Sequence, residues 1–556
     1  MSSTHMVTNQ ALPLAGHNLF ATNRAMRDAL GFNAPGLDTA PLESLGAKLG
    51  EPDMQAHARL ANQHKPQLHS HDRFGRRLDE VEFHPSYHAL MAQATAAGLH
   101  GTPWTLAPQA HVQRAAAFML FTELEPSVLC PISMTYAVTP ALRANSAIHA
   151  AWLPKLASTA YDPRLIPFEQ KAGVTMGMGM TEKQGGSDVR ANTTQATFEE
   201  QTPWGPRYRL VGHKWFMSAP MCDAFLVLAQ TGAGLSCLFL PRVLPEHASE
   251  GTSAGSRNGI FIQRLKDKLG NHANASSEVE FDGAHAWLVG EEGRGVPQIL
   301  EMGTRTRLDC ALGTSGLMRQ ALALALHHTA QRHAFGKALI EQPLMRNVLA
   351  DLALESEAAT ALSLRLARAF GSDTEHEQAM RRLLTPVAKF WICKRGSHFA
   401  QEAMECLGGN GYVEEAGEGV MARVYREMPL NSIWEGAGNI MAIDLLRALR
   451  GKGGNGDTAA ALRAELAPAR GVHAALDKFA SHLFARLEEV PDEIEARRLA
   501  QDIALAVQAA LLCQHAPSHV FDGYCRTRLG ADWGHAFGTL PGNVDFAALL
   551  ARAMPQ

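Results

Sequence analysis

Long apolar runs are the first thing this 556-residue chain lacks: no stretch approaches the roughly 20 residues needed to cross a bilayer, so no membrane association is expected. The amino terminus has no basic start followed by an apolar core, which argues against a secretory leader. An excess of one charge is missing too. With 51 Lys plus Arg against 55 Asp plus Glu the formal net charge is −4, so no global field would hold a polyanion, and nucleic-acid binding would need a local basic patch. Cysteine is sparse: eight residues, at 130, 222, 237, 310, 393, 406, 513 and 525, form no Cys-x-x-Cys pair and have no clustered histidines beside them. That pattern excludes a disulfide framework and a metal site, and it predicts buried free thiols in a reducing cytoplasm. Aromatics are few, at 7%, whereas helix-forming aliphatic residues are plentiful.

Helical and strand-like textures alternate along the chain. Residues 1–172 carry helical patterns broken by Gly and Pro turns, such as the one from Ser86 to Ala97 ended by Gly98. From 173 to 288 short apolar runs (208–216, 224–229, 235–240, 277–281) are spaced as in a small antiparallel barrel or sandwich. Residues 289–450 return to long helical patterns at 309–332, 344–370 and 380–407, which predict a bundle. Gly451-Lys-Gly-Gly-Asn-Gly456 is linker chemistry, and a mostly helical extension follows over 451–556. The expected class is mostly α with a central β domain. At this length several cores are needed.

Two segments carry chemistry. In the first, Met176-Gly-Met-Gly-Met-Thr-Glu-Lys-Gln-Gly-Gly-Ser-Asp-Val189, Gly177 and Gly179 permit close backbone approach, Thr181 offers a hydroxyl, and Gly185-Gly186-Ser187 could form an N–H nest for phosphate. Read alone it is more readily a glycine-rich strand and turn. In the second, Ser432-Ile-Trp-Glu-Gly-Ala-Gly-Asn-Ile440, Glu435 is either a base or a carboxylate complementing the dipole of the helix that follows. Phe216 and Ser218 are either an aromatic wall with a hydroxyl donor or a strand edge.

Taken with Arg264-Leu-Lys-Asp-Lys-Leu-Gly-Asn271, Asp309-Cys-Ala-Leu-Gly313 and Tyr425-Arg-Glu-Met-Pro-Leu-Asn-Ser-Ile-Trp-Glu-Gly436, these segments resemble the acyl-CoA dehydrogenase superfamily, and more closely its AidB-type branch, linked to the adaptive response to alkylation. The resemblance covers the chain to about residue 450 and implies that family's fold: a helical domain, a β domain, then a helical bundle.

It also implies FAD, held by Met178, Met180, Thr181, Gly186 and Ser187. Phe216 stands where the family usually has a tryptophan against the flavin, followed by Met217, and Ser218 stands where a threonine donates near N5. Arg332, Phe335 and Gln342, with Gly408 and Gly409, match the motifs for the adenosine and pyrophosphate half, usually contributed across a subunit boundary. A homotetramer is the implied assembly. Trp434, Gly436 and Asn439 complete the flavin set. Glu435 falls at the general base that removes the α-proton of an acyl thioester, and Thr306 occupies the alternative base position of some members, so no second candidate competes. Arg307 and Trp434 are the implied substrate contacts.

Three departures bear on substrate. Trp434 replaces a tyrosine, Thr304 an aspartate near the pantetheine, and Glu405 a glutamine beside Gly408 and Gly409. They leave two further readings open: a DNA-associated flavoprotein protecting against alkylation, and a flavin oxidase or monooxygenase on a small non-CoA substrate. The electron acceptor is unspecified. DNA would need the extension, yet residues 457–556 hold nine Lys or Arg against twelve Asp or Glu, leaving Arg497-Arg498 and Arg526-x-Arg528 as the local candidates. In the β domain, Arg264, Lys266 and Lys268 are expected to alternate along a strand, offset by Asp267.

Overall fold

The computed structural model describes residues 4–245, 256–414, 419–451, 458–488, 492–530 and 533–555. Most of the linker read at 451–456 therefore lies outside the described residues. The chain divides into two compact units, residues 57–107 with 125–306, and residues 1–56 with 108–124 and 307–556. Of the four segments read from the sequence, 1–172 and 289–450 are divided between the units, while 173–288 and 451–556 each fall within one.

In the first unit two short strands, β1 (Gln67–His71) and β2 (Arg77–Glu82), form an antiparallel hairpin. They lie within the region read as purely helical, a correction to that reading. Both strands are polar on both faces and carry no period-two apolar signal. The hairpin docks on the barrel through polar groups: Arg77 Nη2 donates to the Ile262 carbonyl at 3.0 Å and the Ile262 N–H to Asp79 Oδ1 at 2.8 Å.

The barrel comprises β3 (Met176–Gly179), β4 (Gln195–Thr202), β5 (Gly205–Ser218), β6 (Ala224–Thr231), β7 (Gly234–Pro241), β8 (Ile260–Leu265) and β9 (Ser276–Leu288). Strands β6, β4, β5, β9 and β7 pair in a ring, with β3 added to β6 and β8 to β9. The expected all-antiparallel pattern is not met: β3 runs parallel to β6, and β4 meets β6 in parallel. The apolar core of β6, Ala224 through Ala229, is buried throughout, as a strand covered on both faces must be.

The second unit is a bundle. Its long helices are Pro343–Phe370 and Glu375–Glu405, with Arg307–Gln331 completing the helix that starts at Gly295, and Gln109–Leu124 inserted from earlier in the chain. Pro343–Phe370 is buried along nearly its whole length from Leu349, which its dense Leu and Ala content permits. The helix Ala496–His515 of the extension packs against Pro343–Phe370 and Glu375–Glu405, so the extension shares this core. Buried arginines lace it: Arg365 pairs with Glu377 at 2.7 Å and Glu465 at 2.6 Å.

Candidate active site

In the barrel unit, β3 enters from a helix contact, where the Met176 N–H donates to Thr135 Oγ1 at 2.9 Å. The glycines of this strand are explained by packing. A Cβ on Gly177 would stand 2.4 Å from Phe225 Cδ1, and one on Gly179 would be 3.3 Å from both Lys214 and Val227. Their small size thus admits neighbouring side chains, which is the glycine-rich strand of the two readings at these positions. Gly186 has a local reason too, since its Cβ would press on Thr181 Oγ1 at 2.7 Å. Gly185, at φ +151°, faces open space. The turn is closed by reciprocal bonds between Glu182 and Gly185, and the Thr181 carbonyl accepts from the Trp215 N–H at 2.8 Å. Met178, Met180 and Thr181 are half-buried, while Gly186 and Ser187 are exposed.

What holds this turn is a residue pair that sequence reasoning missed. Glu182 and Lys214, both with fully buried side chains, meet at 2.7 Å. Glu182 also accepts from Thr194 Oγ1 at 2.6 Å and the Thr193 N–H at 2.6 Å, and Lys214 donates to the Leu228 carbonyl at 2.7 Å. Burial disfavours the ionised carboxyl, but the Lys214 ammonium and these hydrogen bonds more than offset it, holding Glu182 at about 2. The available signal was a Glu inside a glycine-rich run and a Lys inside an apolar strand.

At the end of β5, Phe216 is 49% exposed and Met217 is fully buried. The Met217 side chain is therefore core, and only its main chain is left for a ligand; its carbonyl accepts from Ser277 Oγ at 2.8 Å. Ser218 Oγ lies 3.2 Å from Ser276 Oγ. Lys266 sits with Nζ 3.2 Å from the Trp215 ring centroid and 4.6 Å from that of Phe216, and pairs with Glu278 at 2.6 Å. Strand β8 ends at Leu265, so Lys266 and Lys268 lie beyond it, and Asp267 pairs with Lys65 at 2.9 Å.

In the bundle unit, Glu435 lies in the turn between the helices Val420–Asn431 and Gly438–Leu449, three residues before the second helix begins. It is a non-glycine residue at φ +59°, followed by Gly436 at φ +103°. Such a backbone persists only when its surroundings enforce it. The Glu435 carbonyl accepts from Arg307 Nε at 2.9 Å, and the Gly436 carbonyl from Lys389 Nζ at 2.8 Å. Arg307 also pairs with Asp444 at 3.2 Å, and Asp444 with Arg382 at 2.9 Å. Arg307 thus grips the main chain of the candidate base. Trp434 Nε1 donates to Asn431 Oδ1 at 3.0 Å, which fixes the indole, and Asn439 is exposed. Thr306 is buried, its hydroxyl donating to the Gly303 carbonyl at 3.0 Å.

Elsewhere in this unit Phe335 is 97% exposed at φ +54°, on a tight turn that Gln342 braces by donating to the Ala334 carbonyl at 2.9 Å. Gly408, at φ +59°, and Gly409 are exposed, and a Cβ on either would meet nothing. The amino-terminal segment runs past both places. Asn9 exchanges two hydrogen bonds of 2.8 Å with the His333 main chain, Arg332 donates to the Asn9 carbonyl, and Asn410 contacts Gln10 at 3.4 Å.

The basic candidates of the extension are mostly occupied. Arg498 pairs with Asp502 at 2.9 Å and Arg526 with Asp522 at 2.7 Å, while Arg528 is buried against Asp351 and Glu355. Arg497 lies over the Phe390 ring. These contacts leave little of the two pairs for a local basic patch.

Comparison with known proteins gives concordant matches. Residues 9–163 match the Adaptive response protein AidB N-terminal domain, 177–284 the acyl-CoA dehydrogenase middle domain, and 293–450 the acyl-CoA dehydrogenase C-terminal domain. The chain is 45% identical to the putative acyl-CoA dehydrogenase AidB of Escherichia coli K12, over 96% of its own length and 95% of that protein. It is 32% identical to acyl-CoA dehydrogenase family member 11 of Caenorhabditis elegans, over 71% of this chain and 64% of that one. Among solved structures, Caenorhabditis elegans ACDH-11 in complex with C11-CoA superposes with a TM-score of 0.82 at 26% identity, covering 94% of this chain and 93% of that one. The apo form of Bd2924 gives 0.81 at 28%, covering 92% and 100%.

Proposed function

This chain belongs to the AidB-type branch of the acyl-CoA dehydrogenase family, and on that footing we propose that it is an FAD-dependent oxidoreductase that removes the α-proton of an acyl thioester with Glu435 as general base. The observation that carries this reading is the Glu435 turn. A non-glycine residue held at φ +59°, with the carbonyls at 435 and 436 each gripped by a cation from another helix, is a carboxylate placed with care.

The residues present fit FAD. Phe216 offers a half-exposed ring beside the hydroxyls of Ser218 and Ser276, as a flat heteroaromatic system needs. The exposed Gly185-Gly186-Ser187 turn suits a phosphate, with Gly185 in a backbone region only glycine enters easily. Met178, Met180, Thr181, Gly186, Ser187, Phe216, the Met217 main chain and Ser218 would hold the flavin end, with Trp434, Gly436 and Asn439. Arg332, Phe335, Gln342, Gly408 and Gly409 would hold the adenosine and pyrophosphate end for a neighbouring subunit. When bound, FAD supplies the two-electron acceptor for the hydride leaving the β-carbon.

The α-proton of a thioester is weakly acidic, so Glu435 must receive it at its carboxylate from a substrate whose developing enolate is met by fixed donors. Trp434, locked to Asn431, shapes the acyl pocket. The near-total exposure of Phe335, with Tyr412 79% exposed, supports an assembly in which another subunit covers these side chains, and a homotetramer is the proposed state. All eight cysteines are free thiols, which supports a cytoplasmic location. No helix among the described residues is long and apolar enough to cross a membrane.

The test is anaerobic titration of the flavin-loaded protein with acyl-CoAs of graded chain length, followed by admission of oxygen. Bleaching of the flavin by at least one acyl-CoA, abolished in Glu435→Gln at unchanged flavin content, supports the reading. Absence of bleaching across the panel refutes it.

A further inference from the structure

Lys389 lies in the middle of the helix Glu375–Glu405 and is 1% exposed. Its ammonium donates to the Asn431 carbonyl at 3.1 Å and to the Gly436 carbonyl at 2.8 Å. Those acceptors stand at the two ends of the 432–436 turn. Asn431 is the last residue of its helix, so its carbonyl has no partner within the helix and sits at the negative end of the dipole. The Gly436 carbonyl immediately follows Glu435. One buried cation therefore staples the turn at entry and exit, while Arg307 holds the Glu435 carbonyl from a third helix.

An ammonium placed here is costly by itself. Burying it sacrifices hydration, and an unbranched apolar side chain of similar length would fill the same space without that loss. What a methionine would not do is pin two carbonyls. Nor could the turn hold its shape unaided, since φ +59° at Glu435 is a conformation that an L-residue with a Cβ leaves when released. The chemistry of Lys389 thus matches a mechanical requirement of the residue it surrounds. We propose that Lys389 is a positioning residue for Glu435: by holding the carbonyls of Asn431 and Gly436 together it keeps the main chain at 435 in its left-handed conformation and so fixes where the carboxylate stands. This inference rests on Glu435 being the base, but the mechanical claim is separable from it.

The experiment compares Lys389→Met, Lys389→Arg and Lys389→Gln with the wild type as flavin-loaded full chains. Three quantities are read: flavin content, amide hydrogen exchange over 432–437, and steady-state turnover with whichever acyl-CoA bleaches the flavin. For Lys389→Met the expectation is flavin still bound when FAD is in excess, faster exchange confined to 432–437, and a kcat lower by about 100-fold, the scale of an ångström-sized misplacement, with any change in KM smaller than that in kcat. Lys389→Arg, whose guanidinium can still donate to both carbonyls, recovers most of both losses, and Lys389→Gln, able to hold one carbonyl, falls between. Exchange over 432–437 equal to wild type in Lys389→Met overturns the clamp. So does a loss of kcat that Lys389→Arg fails to recover, or a loss accompanied by faster exchange throughout the bundle, because either marks a general packing role. Should Lys389→Met not fold, the same comparison of Lys389→Gln with Lys389→Arg decides. If no acyl-CoA bleaches the wild-type flavin, the dehydrogenase reading fails alone, and hydrogen exchange still decides the clamp.

Discussion

Substituting Lys214 by methionine strips the Glu182 carboxylate of its ammonium partner while leaving the hydrogen bonds of Thr193 and Thr194 in place. The cost follows from the charge left behind. The carboxyl, held at about 2, gains from the pairing, while burial pushes the Lys214 ammonium down to about 8, so the two shifts oppose each other in the intact pair. Breaking a buried ion pair from one side costs about 3–5 kcal/mol, the lower figure applying where hydrogen bonds remain on the carboxylate. For a unit of this size each kcal/mol moves the midpoint by about 2–4 °C, so the barrel transition should fall by roughly 6–12 °C. The pH dependence gives a second signature of opposite sign. In the wild type the Glu182 carboxyl is depressed, so its stabilisation is complete above the unfolded value and disappears as pH falls through 2. In Lys214→Met burial dominates and the carboxyl rises above its unfolded value. Its contribution is then fullest below 4.5 and is lost as pH rises. Thermal unfolding by calorimetry between pH 3 and 7, where Lys214 stays charged, reads both effects: the wild type loses stability as pH falls below 4.5, whereas the variant loses it as pH rises above that value. Pairing Lys214→Met with Glu182→Gln should recover much of the loss. A midpoint within about 2 °C of wild type, or a pH slope of the same sign in both proteins, refutes the account.

Two further outcomes are expected. Gly177→Ala places a methyl 2.4 Å from Phe225 Cδ1 and should cost about 1–3 kcal/mol by thermal unfolding, with Phe225→Leu in the same chain restoring much of it; an unchanged midpoint in the single variant contradicts the packing role. Arg498→Ala with Arg526→Ala should leave duplex DNA retention and its salt dependence unchanged, since both side chains are engaged with Asp502 and Asp522. A shallower slope of log affinity against log salt in this double variant would show that they meet phosphate after all.

The elements most legible in the sequence were those whose burial follows a period. The long helices over 343–370 and 375–405, and strands such as β6, announce themselves by apolar spacing, because a core repeats with the geometry of the element facing it. The β1–β2 hairpin was illegible for the converse reason: it docks through Arg77, Asp79 and Arg242, and polar docking leaves no period. The candidate site divides in the same way. Thr181, Phe216 and Glu435 were singled out because short motifs carry them. Glu182, Lys214 and Lys389 were missed because each is a lone charge in otherwise glycine-rich or apolar sequence, whose partners lie 32 to 47 positions away. Gly177 left a ligand and a packed strand both open, since a glycine in a strand reports that something approaches closely without saying what, and here its neighbour is Phe225.

The extension shows how misleading composition by segment becomes once charges are paired across a core. Counterion release requires a cation that can leave its present partner for a phosphate at little cost. Arg528, 1% exposed in its side chain between Asp351 and Glu355, would have to abandon two buried carboxylates, and Arg552 is tied in the same way to Glu357 and Asp28. Their charge stabilises the helices of the bundle against the extension and is withdrawn from any surface field. Among the described residues Arg463, Arg470, Lys478, Arg497, Arg498 and Arg526 are solvent-facing, Arg498 and Arg526 in pairs with Asp502 and Asp522, against the exposed acids Glu488, Asp492, Glu493, Glu495 and Asp545. The electrostatics of this segment therefore favour a role in completing the bundle that holds Glu435 over a role in gripping a polyanion.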